Sequence, residues 1–345
     1  MAEALRQTDP EVVVNYVGRA DGPEASLVPE AGLDFSGLRL GSMGSSARSS
    51  APRLALRLPL AYGQAVRLVR RFQPQVVLAT GGYVCVPVAL AARRRRVPVV
   101  LLEQNMLPGR AVQWLSPRVQ RVASSFPATA ALLPRAKVVC TGNPVRTSFA
   151  ALASRPQLPE APPTLLVMGG SQGARSLNEV LLEALPSLLK HLPELKVVHL
   201  TGPTDFDQVV TVAEERGLPV GDAYQPSPFV TDVAERLAAA SLVVMRAGGS
   251  SLAEVACLGR PMVLVPYPHA SEHQSANAEP FEAAGAALLI SDPDLTPELL
   301  EEAVLRVLGD PQRWATMARA SSSMARPQAA QDVALLLQQL AQTRG

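Results

Sequence analysis

Residues 241–277 read SLVVMRAGGSSLAEVACLGRPMVLVPYPHASEHQSAN. An apolar run at 242–245, short enough for a buried strand, breaks at Arg246-Ala247-Gly248-Gly249 and gives way to a periodic segment that ends at Gly259. The pattern predicts strand, glycine turn and helix. Ser250 and Ser251 are candidate caps of that helix. Its first amides have no partner in the ladder and the positive end of the dipole behind them, so they suit a phosphate. A second strand at 261–266 runs into a polar loop at 269–277, which should place both loops at the carboxyl edge of one parallel sheet, where open α/β sheets bind ligands. A second reading stands beside this one. Ser251-x-x-Glu254 is also a capping box, in which the glutamate only satisfies a backbone donor, and adjacent glycines let a strand and a helix pack closely.

At 345 residues the chain exceeds one ordinary core, so two domains are expected. With 48% hydrophobic and 18% charged residues it is globular, and a formal net charge of +2 without an aromatic-basic cluster argues against a nucleic-acid partner. Cys85, Cys140 and Cys257 are widely spaced and form no C-x-x-C, so neither a disulfide framework nor a zinc site is indicated and a reducing compartment is expected. There is no uninterrupted apolar run of about 18 residues, and the start MAEALRQTDP lacks the charged-then-apolar order of a signal peptide. A cytoplasmic, non-spanning chain is expected.

From the start, residues 2–7 read as the tail of a helix and 11–17 as a strand ending at Gly18; 41–52, rich in Ser, Gly and Arg, reads as a loop. An amphipathic helix over 54–72 carries Arg57, Arg67, Arg70 and Arg71. Next come a strand at 75–79, the turn Thr80-Gly81-Gly82-Tyr83, a small-residue helix, the basic run Arg93, Arg94, Arg95 and Arg96, and a strand at 98–102 before Glu103-Gln104-Asn105. VVLATGGYVCVPVALAARRRRVPVVLLEQN and LVVMRAGGSSLAEVACLGRPMVLVPYPH share one plan: apolar strand, Gly-Gly turn, helix, proline-started strand, polar loop. The unit occurs twice, so the fold class expected is α/β with two similar doubly wound, Rossmann-like domains facing a cleft. The first is expected over 1–154, a proline-rich linker over 155–163, and the second over 164–326.

In the second half, 164–168 is a predicted strand, Gly169-Gly170-Ser171-Gln172-Gly173-Ala174 a glycine loop and 178–190 a helix. Such a loop cradles a diphosphate on bare N–H groups, yet it is neither a Walker A loop nor G-x-G-x-x-G, which weakens kinase and dehydrogenase readings. Asp205-x-Asp207 and Asp292-x-Asp294 match a metal-diphosphate pattern but fit better as helix-start and turn residues, the second ahead of the cap pair Thr296-Pro297. His191 and His199 read as scaffold; His269 and His273, in the polar loop, are candidate ligand contacts.

Taken together, GGYVCVP, LLEQN, GNPVR, GGSQGARSLN, RAGGSSLAE and HQSANA, in this order and spacing, resemble the MurG family, glycosyltransferase family 28. The resemblance runs from about residue 18 to residue 327 and rests on all six motifs in register. It implies the GT-B architecture, with a last helix over 327–345 crossing back to the first domain. It also implies transfer of N-acetylglucosamine from its UDP donor to lipid I, giving lipid II for peptidoglycan. Carried over by position, Val230 would hold uracil through its backbone and Glu254 would accept the ribose hydroxyls. Ser171, Gly248, Gly249 and Ser250 would receive the diphosphate, and Gln274 and Asn277 would orient the sugar. Asn105 and Arg146 fall at positions the family places in the substrate cleft. His273 stands where the family tends to have a second glutamine beside Gln274.

The reaction so implied is a single inverting displacement by the acceptor C4 hydroxyl, with N–H groups and helix dipoles rather than a metal stabilising the departing diphosphate and with no cofactor. The partners implied are UDP-N-acetylglucosamine, lipid I and an anionic membrane surface at the cytoplasmic face of the plasma membrane, which Arg93, Arg94, Arg95, Arg96 and the arginines of 54–72 would touch; solvated surface is the other reading of those arginines. The wall-building machinery supplies candidate protein partners. Two alternatives are another GT-B enzyme and a non-catalytic nucleotide-sugar binding protein. The family's opening strand and G-G-T-G-G-H loop, with a proposed base histidine, have no counterpart here, so the expectation is a Met1 that is an internal start, roughly 20 further residues ahead of it, and little transfer by the chain as it stands.

Overall fold

The computed structural model describes residues 1–40, 47–133, 136–153, 162–170, 173–268 and 272–343, with backbone only for residues 47–56. It divides into two units. Unit 1 comprises Met1–Gln104, Pro108–Thr141 and Ala329–Gly345, and unit 2 comprises Asn105–Leu107 and Gly142–Gln328.

Unit 1 opens with α1 (Ala2–Thr8), β1 (Asn15–Arg19), α2 (Glu24–Glu30), β2 (Asp34–Leu38) and α3 (Ala47–Phe72). It continues through β3 (Val77–Ala79), α4 (Cys85–Arg94), β4 (Val99–Glu103), α5 (Arg110–Leu115), β5 (Arg121–Ser124), α6 (Thr129–Leu132) and β6 (Val138–Cys140). The first strand begins later than the sequence pattern suggests because Asp9 holds a turn, accepting from Glu11 N at 3.1 Å through its side chain and from Val12 N at 3.1 Å through its carbonyl. Gly18 therefore lies inside β1 rather than at its end. Residues 47–52, expected in a loop, are helical backbone within α3, while 41–46 of that loop lie outside the described residues.

The strands of unit 1 form two parallel sheets, β1-β2 and β3-β4-β5-β6. Among the described residues no strand pairs with the second edge of β1 or of β3. One core cluster packs Val99, Leu101 and Val122 against α3 and α4 residues such as Ala65, Val69, Val88 and Ala92. On the other face, by the alternation of a strand, Val100, Leu102 and Ala123 are covered by Val333 and Leu337 of the last helix, with Met1 and Leu5 beside them.

Unit 2 holds α7 (Thr147–Ala153), β7 (Thr164–Met168), α8 (Arg175–His191), β8 (Lys196–Leu200), α9 (Phe206–Glu215), β9 (Tyr224–Ser227), α10 (Val233–Ala239) and β10 (Leu242–Met245). It continues with α11 (Gly249–Cys257), β11 (Met262–Leu264), α12 (His273–Ala283), β12 (Ala287–Leu289), α13 (Pro297–Leu308) and α14 (Pro311–Met324), after which α15 (Ala329–Gln342) belongs to unit 1. The change of unit after Thr141 comes earlier than the 155–163 span expected for the linker, since α7, with Phe149 fully buried, packs on α10 and α11. Residues 155–161 of that span lie outside the described residues.

One six-stranded parallel sheet, in the order β12-β11-β10-β7-β8-β9, runs through unit 2. Its central strand β10 is apolar throughout, as a strand covered on both faces must be: Leu242, Val243, Val244 and Met245 are all fully buried. Leu242 and Val244 pack with Leu165, Val167, Leu181, Leu185 and Val304, and Trp314 joins this core while donating from its indole nitrogen to Ser241 O at 2.6 Å. His199 is a scaffold residue. Its Nδ1 lies 2.8 Å from the Tyr224 hydroxyl and its Nε2 2.9 Å from Asn178 Oδ1, and burial holds its pKa down to about 3, so the imidazole is neutral.

Candidate active site

In unit 2 the sheet order reverses between β7 and β10, with β8 and β9 continuing on one side and β11 and β12 on the other. At such a point successive loops diverge and leave a crevice at the carboxyl ends of the strands. The two glycine loops identified in the sequence follow these two strands.

After β10, Gly248 is extended (φ −70, ψ 133) and caps α11, whose ladder opens with Leu252 N donating to Gly248 O at 2.9 Å. The amides of Gly249, Ser250 and Ser251 precede that first bond and so form the anion-facing end of the helix. Ser250 and Ser251 are thus not the caps expected from the sequence; they sit within the first turn, because the glycine itself serves as the cap. It follows that Glu254 lies in the second turn, too far along the helix to close a capping box. Its carboxylate, 18% exposed, instead meets Arg146 Nη2 at 3.5 Å. Burial raises the pKa of Glu254, with the neighbouring Arg146 guanidinium pulling the other way. Arg146 is placed over the ring of Phe149, its Cζ 5.0 Å from the centroid. Asn143, 4% exposed, adds a contact that the sequence gave no sign of, Nδ2 donating to Ser250 Oγ at 3.4 Å. The segment GNPVR is thereby held against the first two turns of α11.

The loop after β7 contains Gly170 (φ 90) and Gly173 (φ 78), and Gly173 N donates to Gly170 O at 3.0 Å. Ser171 and Gln172 lie outside the described residues. Ala174 caps α8, and Asn178 N donates to Ala174 O at 2.9 Å, so the amides of residues 175–177 stand ahead of the ladder as in α11. Val230, 9% exposed, follows β9 at the same edge, next to Phe229, which is 64% exposed.

Helix α12 supplies the remaining residues. Gln274 Oε1 accepts from Tyr267 N at 2.9 Å, which fixes the amide and leaves its NH₂ group as the end available to hydroxyl oxygens. Asn277 is fully buried, accepting from Met106 N at 2.8 Å and donating to Asn105 Oδ1 at 3.0 Å and to Ala247 O at 3.2 Å. With both ends of its amide engaged by the protein, it ties Asn105 to the Gly248 turn. His273 Nδ1 donates to Leu107 O at 2.9 Å. Glu272, at the start of α12, has φ 64, a left-handed conformation unusual for a side chain with a β-carbon. His269 lies outside the described residues.

Family models agree with this arrangement. The glycosyltransferase family 28 C-terminal domain matches residues 164–333 and the family 28 N-terminal domain matches residues 1–124. A UDP-N-acetylglucosamine--N-acetylmuramyl-(pentapeptide) pyrophosphoryl-undecaprenol N-acetylglucosamine transferase of Desulforudis audaxviator is 35% identical over 99% of this chain and 94% of its own. The chain belongs to glycosyltransferase family 28. A transferase of the same description from Nitratidesulfovibrio vulgaris is 38% identical over 96% of this chain and 90% of its own. Among solved structures, Acinetobacter baumannii MurG superposes with a TM-score of 0.74 at 29% identity, covering 98% of this chain and 95% of that one. The two-domain α/β fold is that of the GT-B enzymes.

Unit 1 contributes two features foreseen in the sequence. The first Gly-Gly turn has both glycines left-handed, Gly81 at φ 90 and Gly82 at φ 72, and α4 begins only at Cys85, so the repeated motif takes a different conformation here from that of Gly248-Gly249. Arg93, Arg94, Arg95 and Arg96 are all exposed at the end of α4. The D-x-D segments are structural: Asp205 accepts from Asn178 Nδ2 at 3.1 Å, Asp294 bonds Ser291, and Asp292 pairs with Arg246.

Proposed function

We propose that the chain transfers N-acetylglucosamine from UDP-N-acetylglucosamine to the muramyl sugar of lipid I, forming lipid II for peptidoglycan. The observation that carries this reading is Glu254, freed from any capping role and paired with Arg146 directly behind the glycine turn at the switch point of the sheet. A carboxylate so placed accepts the two ribose hydroxyls, with uracil held at the backbone of Val230. The amides at the starts of α8 and α11 receive the diphosphate, together with Ser171, and Gln274 donates to the sugar. Asn277 acts behind it, by holding Asn105. The acceptor C4 oxygen attacks the anomeric carbon as the bond from that carbon to the diphosphate breaks. UDP leaves with the electron pair, and the hydroxyl proton passes to a base. Charge building on the diphosphate is met by helix amides and dipoles, so the reading calls on no metal or cofactor.

A lipid-linked acceptor requires contact with a bilayer, and among the described residues no helix is long and apolar enough to cross one. The exposed Arg93, Arg94, Arg95 and Arg96 suit peripheral docking on anionic headgroups at the cytoplasmic face. At about 1 kcal/mol for each arginine near such a surface, replacing the first three with serine and Arg96 with asparagine should weaken sedimentation with anionic vesicles by more than tenfold. Asparagine suits position 96 because Arg96 has φ 55. Salt should reproduce the effect on the unaltered chain. Equal sedimentation of both forms at low salt would remove the docking assignment. The reaction itself is tested by following labelled sugar from UDP-N-acetylglucosamine into lipid I.

A further inference from the structure

We infer that Arg246 is a positioning residue that sets the spacing between the diphosphate loop and the sugar loop; this rests on the donor-binding reading above. Arg246 is the first residue after β10 and is only 7% exposed. One end of its guanidinium, Nη1, donates to Val265 O at 3.0 Å and to Pro266 O at 3.4 Å. The other, Nη2, donates to Ser176 Oγ at 2.7 Å, in the first turn of α8. Asp292, in the short turn after β12, closes the cluster: it pairs with Arg246 and accepts from Ser176 Oγ at 2.8 Å.

The connections run to different parts of the donor site. Ser176 lies three residues after Gly173, in the first turn of α8, so its bond fixes where the first amides of that helix point. Val265 and Pro266 lead directly into Tyr267, whose N–H holds Gln274 and whose ring centroid lies 5.5 Å from Arg246 Cζ. The planar fork of a guanidinium reaches both loops at once, and Asp292 neutralises it where water does not. A lysine ammonium is a point charge on a flexible stem and cannot span Val265 O, Ser176 and Asp292 together. Glu254 and Arg146, assigned to the uridine end, pair with each other, and Arg146 lies over the ring of Phe149.

The consequence is a graded loss along the donor. Arg246→Lys should leave the affinity for uridine within about twofold, lower that for UDP modestly, and lower that for UDP-N-acetylglucosamine at least tenfold. Asp292→Asn, which keeps the shape and removes the charge, should show the same gradient in weaker form. The double variant should lose less than the product of the two single losses, because both act on one cluster. Calorimetric titration of the three ligands into each folded variant measures this. Failure of the unaltered chain to bind UDP-N-acetylglucosamine would bring down the donor-site reading itself. Binding by the unaltered chain with equal losses for all three ligands in both variants, or with no loss in either, would overturn the positioning role alone.

Discussion

Gly173→Ala is expected to abolish measurable donor binding and to lower the stability of unit 2 by about 2–5 kcal/mol, the sum of a left-handed penalty of about 1–2 kcal/mol and an overpacking strain of about 1–3 kcal/mol. The residue has φ 78, and a β-carbon there would stand 2.1 Å from Thr201 O and 3.0 Å from Thr201 C. Both are backbone atoms, so no side-chain rotation relieves the overlap. Thr201 cannot yield easily: its N–H donates to Ser227 O at 3.0 Å and its carbonyl accepts from Asn178 Nδ2 at 3.0 Å. The loop must therefore move, and with it the cap of α8. Gly170→Ala is the matched comparison. It shares the left-handed backbone (φ 90) but a β-carbon would meet nothing within 4 Å, so its cost should stay near the left-handed penalty alone. Thermal unfolding and UDP titration of the two variants side by side provide the test, and equal behaviour of the pair would show that close approach to Thr201 does not shape the loop.

Glu254→Ala should weaken UDP binding by 100-fold or more while shifting the melting temperature little. Two hydrogen bonds from ribose hydroxyls to a carboxylate are worth about 1.5–3 kcal/mol each, and losing both accounts for the affinity change. Stability is spared because the carboxylate caps nothing, and the half-exposed Arg146 it leaves behind can turn to water. The pH dependence follows from the direction of the pKa shift. Burial raises the Glu254 pKa, and the ionised form is the one that accepts from the ribose, so affinity is full above that pKa and falls as the pH drops through it. The decline should begin at a higher pH than for an ordinary glutamate and be missing from Glu254→Gln. Unchanged UDP affinity in Glu254→Ala, measured by calorimetry, would remove the ribose assignment.

The second unit was the more legible in sequence because β7, β10 and β11 are short apolar runs with a glycine or proline within three residues of their ends, at Gly169, Gly248 and Pro266. Residues 164–168 form β7 as read, and the 196–200 portion of the apolar run at 195–200 forms β8. The start of α11 was misread for a physical reason: in Arg-Ala-Gly-Gly-Ser-Ser either a glycine or a serine can cap, and only the ladder shows which does. That one residue decided the role of Glu254, since a cap at Ser251 would have put it in a capping box. Asn277 reads as a sugar contact by position in the family, yet it is buried among Met106, Asn105 and Ala247, groups brought together only by folding. Arg246 and Asp292 are 46 positions apart by subtraction of their numbers, and no local pattern joins them. In unit 1 the sequence suggested a strand at 11–17, but the turn at Asp9 moves it to Asn15–Arg19.

The most direct test follows radiolabelled N-acetylglucosamine from its UDP donor into lipid I in the presence of the chain or of its Glu254→Ala variant. Label that enters the lipid with the unaltered chain and disappears with Glu254→Ala is the predicted result. Tight UDP-N-acetylglucosamine binding by the unaltered chain, with no label entering the lipid, would contradict the account and leave a nucleotide-sugar binding protein in its place.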